Sequence, residues 1–126
     1  MKDHATLGGI HATVADYFDG LYEGDADKLA SIFDPGSSLT FIDGGKVVVL
    51  PRDQWLANVR SRPKPSAAGL ERKDRILSVD LAGPDMAFVK VACQIPPRYF
   101  TDYLCLLRVD GRWRVAQKIY TIQPRP

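Results

Sequence analysis

Four polar side chains in this sequence keep company that could support chemistry: Tyr17, Asp43, Lys90 and Lys118. A carboxylate can take a proton from an acidic carbon, and a phenol can donate to the oxygen where charge then develops. A lysine can steady that oxyanion or hold an anionic ligand. Asp43 stands directly before Gly44-Gly45. It is therefore either a base or ligand anchor at the mouth of a pocket, or the turn residue that such a dipeptide favours. Tyr17 lies on the edge of a helical stripe, where its hydroxyl either meets a ligand oxygen or closes the stripe at the rim. Lys90 and Lys118 fall in strand-like runs with Tyr103 and Tyr120. On one shared face, and with Phe88 and Trp55 as further walls, they would make a cationic, aromatic-walled pocket suited to a planar anion. Two lysines held close repel, so an anion relieves a cost and one amine has reason for a lowered pKa. The plainer alternatives stay open: both lysines in solvent, and Trp55 a core anchor.

Other chemistries find less support. His11 has no second histidine at ligand spacing, and His4 falls in an end expected to fray, so no metal site is expected. There is no Gly-x-Ser-x-Gly elbow, no Gly-rich phosphate loop and no Cys-His pair placed by a motif, and no cofactor is expected. Cys93 and Cys105 lack a Cys-x-x-Cys spacing and read as buried thiols of a reducing cytoplasm. Seventeen Lys and Arg against 15 Asp and Glu leave a net charge of +2, too little to draw nucleic acid or an anionic membrane. The basic cluster Arg60, Arg62, Lys64, Arg72, Lys73 and Arg75 reads as a solvated rim. Asp16 and Asp19 interrupt the first apolar stretch, which speaks against a signal peptide, and no run is long enough to span a bilayer.

The elements that must position these residues follow from periodicity and punctuation. Leu7, Ile10, Val14, Phe18 and Leu21 recur at helical spacing over residues 6–23. Gly24 ends that helix, and Asp25 is a natural N-cap for a short one burying Leu29, Ile32 and Phe33. Two apolar runs around Asp43-Gly44-Gly45 predict a hairpin, and Pro51 opens a third helix with Trp55, Leu56 and Val59 inward. Residues 61–69 suit an exposed loop, after which turn signals at 82–85, 96–98 and 110–111 divide the rest into a four-stranded meander. With 126 residues and 45% hydrophobic content, one domain over 1–126 with a single core is expected, in the α+β class with helices first and strands last.

Strand parity then decides which side chains meet. A two-residue Asp110-Gly111 turn pairs Val109 with Arg112, and by regular counting Tyr103 with Lys118, Cys105 with Ala116 and Thr101 with Tyr120. The other face would hold Asp102, Leu104, Leu106, Trp113, Val115 and Ile119. By hydrophobicity alone this Leu-Val-Trp face is the core, with Lys90 and Lys118 in solvent. In the competing arrangement both faces are covered, and helices over the mixed face would leave the pocket. The apolar, convex face would meet a second copy of the chain, since one helical layer cannot cover both.

The run Tyr17 to Asp25, the short helix ending at Phe33, the Asp-Gly-Gly hairpin, the Trp55 helix and the ending Leu-Leu-Arg-Val-Asp-Gly-Arg-Trp-Arg-Val together resemble the nuclear transport factor 2-like superfamily. The stretch from Tyr99 to Lys118 most resembles its branch labelled putative lumazine-binding. The resemblance implies a cone-shaped, cystatin-like fold with three N-terminal helices on a curved antiparallel sheet, and a small-molecule pocket between the layers. It also implies frequent dimerisation through the sheet. Ketosteroid isomerase, scytalone dehydratase and polyketide cyclases share this fold with non-catalytic domains, so the scaffold alone does not assign a function. By likeness to ketosteroid isomerase, Tyr17 takes the place of the phenolic oxyanion donor and Asp43, with a two-residue insertion, that of the base. The second acid falls on Cys105, a poor donor, while alternation sends Asp102 to the opposite face.

The expectation is thus a cytoplasmic homodimer, joined through the convex sheet face, that binds a small, planar, anionic compound. Tyr17, Trp55, Phe88, Lys90, Tyr103, Lys118 and Tyr120 would line the pocket, with Asp43 at its mouth. One alternative is an isomerase, dehydratase or cyclase using Asp43 as base with Tyr17; another is a non-catalytic dimerisation domain.

Overall fold

A computed structural model describes residues 2–123, and the side chain of His4 lies outside the described part. Helix α1 (Lys2–Glu23) turns at Gly24 into α2 (Ala26–Ile32). The Asp25 carboxylate accepts the Lys28 amide proton at 3.0 Å, one of the orphan donors of the first turn. Gly20 lets the two helices meet, because a Cβ there would lie 2.7 Å from Leu29. The hairpin of β1 (Ser38–Asp43) and β2 (Lys46–Pro51) closes through Gly44 and Gly45, both at positive φ as the tight turn requires. Helix α3 (Arg52–Ser61) follows, then β3 (Arg75–Ala82), β4 (Met86–Ile95), β5 (Arg98–Val109) and β6 (Arg112–Gln123).

The hairpin precedes α3, in the order the turn and cap residues predict, so helices and strands are only partly segregated along the chain. The sheet itself differs from expectation. The six strands form one sheet in the order β2-β1-β6-β5-β4-β3, and β1 lies parallel to β6 through Leu39–Lys118 and Thr40–Ile119, so the sheet is mixed. Ile10, Val14, Phe18 and Leu21 of α1 pack with Leu29, Leu56 and Val59 onto Val89, Val91, Leu104, Leu106 and Val115 of the sheet. The Leu-Val-Trp face expected to meet a second copy is therefore the core beneath the helices, because it is the more apolar of the two, and the face of Tyr103 is the outer one. Tyr17 is fully buried in this core instead of lying at its rim, while Leu7 is exposed.

The register of β5 and β6 is decisive for the site. Val109 pairs with Arg112 and Leu106 with Val115, as the Asp110-Gly111 turn demands. Cys105, however, pairs with Gln117, so Ala116 is an extra residue, a β-bulge. Beyond it the pairing shifts by one: Leu104 meets Lys118, Tyr103 meets Ile119 and Asp102 meets Tyr120. Relative to regular counting from the turn, every later β6 side chain changes face. Lys118 is consequently buried on the inner face with Val115, and Ile119 is exposed on the outer one.

Candidate functional site

Lys118 is the centre of the site. Its side chain is 6% exposed, and its Nζ lies 4.6 Å from the ring centre of Tyr120, 5.1 Å from that of Tyr17 and 5.2 Å from that of Trp55. The three rings come from β6, α1 and α3, so the amine sits where helical layer and sheet converge. Its nearest carboxylate, Asp102 Oδ2, is 3.9 Å away. Burial lowers the Lys118 pKa from its ordinary value, with Asp102 pulling the other way.

Asp102 is fully buried and joins the group together. The Tyr17 hydroxyl donates to Oδ2 at 2.5 Å, and the Cys93 thiol points at the same oxygen from 3.8 Å. Oδ1 has no protein partner among the described residues. Burial, reinforced by the Asp102 charge, holds the Tyr17 phenol protonated well above its usual range and pushes the Cys93 thiol up as well. The proton of Tyr17 is committed to Asp102, so what this hydroxyl offers a neighbouring molecule is its lone pairs.

A cavity of about 210 Å³ opens over Lys118, with Tyr17, Trp55 and Tyr120 among its walls and Asn58, Arg62 and Arg98 also lining it. The Arg62 Nε is buried without a partner among the described residues, and burial together with Arg98 lowers the Arg62 pKa. Three cations thus line a cavity whose nearest buried anion is already engaged by Tyr17, an arrangement that an incoming anion would relieve. A larger cleft of about 620 Å³ shares Cys93 and Phe100 with it. That cleft is the weaker candidate, because its Arg72 is already paired with Asp19 at 2.6 Å and Asp74 at 2.5 Å.

Of the residues singled out from sequence, Tyr17, Trp55, Lys118 and Tyr120 come together around this one cavity. Phe88, Lys90 and Tyr103 do not join them. They do cluster, with Lys90 paired to Tyr103 and the Phe88 and Tyr103 rings stacked at 5.2 Å, but on the outer face of the sheet. The cause is the bulge, which brings β6 residues inward without turning Tyr103 with them. Asp43 flanks the Gly44-Gly45 turn, exposed and paired with Lys46, and is not part of the lining; its geometry is that of the turn residue. Asp102, Arg62 and Arg98 were missed as site residues. Asp102 had a signal: an acid on the same parity as Phe100, Leu104 and Leu106 is a charge on an apolar face. Among the described residues no cluster of His, Cys, Asp or Glu could hold a metal ion, and no helix is long and apolar enough to cross a membrane.

Comparison with known proteins places this geometry in a family. The chain is similar to the aldolase FrzH of a Cladobotryum species, with 25% identity over 131 residues, covering 99% of this chain and all of that one. An NTF2-like protein of unknown function from Silicibacter pomeroyi superposes with a TM-score of 0.86 at 26% identity, over 98% of this chain and all of the other. A ketosteroid isomerase-like protein from Erwinia carotovora shares the fold, with a TM-score of 0.72 at 18% identity over 92% and 95% of the two chains. Residues 5–121 match the family described as "Putative lumazine-binding". The chain therefore belongs to that family, on a nuclear transport factor 2-like fold.

Proposed function

We propose that this domain, a single unit over 1–126, binds a small, planar, anionic carbonyl compound above Lys118, and that Tyr17 with Asp102 moves a proton at that compound. The observation that carries this reading is a buried lysine, caged by three aromatic rings at the floor of a cavity and coupled through Asp102 to a phenol. Arg62 and Arg98 would take the ligand's negative group, and the rings would stack on its flat body. Tyr17 accepts the substrate proton as its own passes to Asp102, so this pair replaces Asp43 as the base of an isomerase, dehydratase or cyclase. A relative that is named an aldolase makes carbonyl substrates the first class to examine.

Thermal-shift screening against aromatic keto acids, pterins and flavin precursors tests the binding. Stabilisation is expected that Lys118→Ala and Arg62→Ala each remove; a screen without any hit would end this reading. We also propose a cytoplasmic homodimer joined through the outer sheet face. That face exposes Val47, Met86, Phe88, Leu107 and Ile119, and the thiols of Cys93 and Cys105 are free, as a reducing compartment would keep them.

A further inference from the structure

The surroundings of Lys118 suit a nucleophile better than a counter-ion. An ammonium kept only to balance Asp102 would close on the carboxylate at about 2.8 Å. Here the separation is 3.9 Å, and the short hydrogen bond to Asp102 comes from Tyr17 instead. The ε-amine is held by ring faces and lines the cavity. We propose that Lys118 forms a covalent imine with the carbonyl carbon of the bound compound, with Tyr17 and Asp102 carrying the protons. This deepens the preceding reading and rests on it.

The step balances without any further reactant. The ammonium first releases a proton, and the nitrogen lone pair forms the C–N bond while the carbonyl π electrons move to oxygen. That oxygen leaves as water with the two protons the nitrogen has shed, so an ammonium and a carbonyl become an iminium and water. The positive charge is unchanged in place and sign, and the same rings and Asp102 that face the ammonium face the iminium. The iminium then draws electrons from the adjacent carbon. The α-proton passes to the Tyr17 oxygen while the phenol proton passes to Asp102 Oδ2, leaving a neutral enamine ready to attack a second carbonyl. Burial supports the first step, because it raises the fraction of Lys118 present as free amine relative to a surface lysine.

The experiment uses the full chain with 4-formylbenzoate and with glyoxylate, in the presence of cyanoborohydride at neutral pH, followed by peptide mapping. Reduction fixes an imine as a stable secondary amine. Lys118 is expected to be labelled at least about tenfold faster than Lys46 or Lys90, because it alone of the three is buried against the cavity. In parallel, quenching of tryptophan fluorescence by 4-hydroxymethylbenzoate, which has the shape but no carbonyl, reports pocket binding. Quenching with labelling confined to surface lysines would overturn the imine while leaving the pocket intact. No quenching and no Lys118 label would overturn both. Lys118→Arg should keep the quenching and lose the fast label; because the mapping on the unaltered chain decides by itself, a variant that fails to fold changes nothing.

Discussion

Asp102 and Lys118 carry opposite costs of burial, and each can be read by substitution. Asp102→Ala strips the Tyr17 hydroxyl of its acceptor and Lys118 of its nearest anion. The expected loss is on the order of 3 kcal/mol in urea unfolding, whereas Asp102→Asn, which keeps an acceptor for the phenol, should lose clearly less. Equal losses would mean that Tyr17 gains nothing from its partner. For Lys118 the sign runs the other way. Its folded pKa is depressed, so the unfolded chain binds more protons between that value and the ordinary 10.5. The burial cost is fully present at lower pH and fades as pH climbs through that window. Stability relative to Lys118→Met should accordingly shift in favour of the unaltered protein as pH rises toward 10.5, followed by denaturant midpoints. A constant difference would show the amine to be solvated. Both residues also mark what the sequence revealed. Counting strand positions grouped Asp102 correctly with Leu104 and Leu106, but it put Lys118 on the opposite face because Ala116 adds a residue to β6.

At the level of elements, punctuation was legible and parity was not. Gly24, Asp25, Gly44-Gly45, Pro51 and Asp110-Gly111 each impose a local backbone requirement that few other residues meet, and each element boundary they imply is present. Trp55 faces inward because the helical period of α3 leaves Leu56 and Val59 beside it. The segment Val115-Ala116-Gln117-Lys118 has no such mark: a bulge there needs neither glycine nor proline, and a lysine is by default assigned to solvent. Phe88, Lys90 and Tyr103 were grouped correctly with one another, since the turn at Pro96-Pro97 keeps β4 and β5 in simple register. Only their assignment to the helical side failed.

Across the whole molecule, the helices cover one face of the sheet and leave the other bare. Ile119 is 52% exposed and Leu107 44%, beside Phe88 and Met86. The proposed pairing of two copies through this surface predicts a dimer mass in sedimentation, with Leu107→Glu or Ile119→Glu giving a folded monomer. A monomer in the unaltered protein would sink that assembly without touching the cavity, which lies on the far side of the sheet. In the dimer, Phe88, Lys90 and Tyr103 would serve the contact between copies, since aromatic residues are enriched at such interfaces.

The spare residue in β6 also makes the domain unequally tolerant of changes in length. Because Val115 and Gln117 already pair with consecutive residues of β5, excising Ala116 restores an ordinary ladder and leaves Lys118 opposite Leu104. Excising Ile119 instead advances Tyr120 to the place opposite Tyr103 and expels its ring from above the amine. The first shortened chain should melt close to the parent, and the second should lose both stability and ligand response. Insertions and deletions in this strand are therefore silent at one position and eversive at the next few.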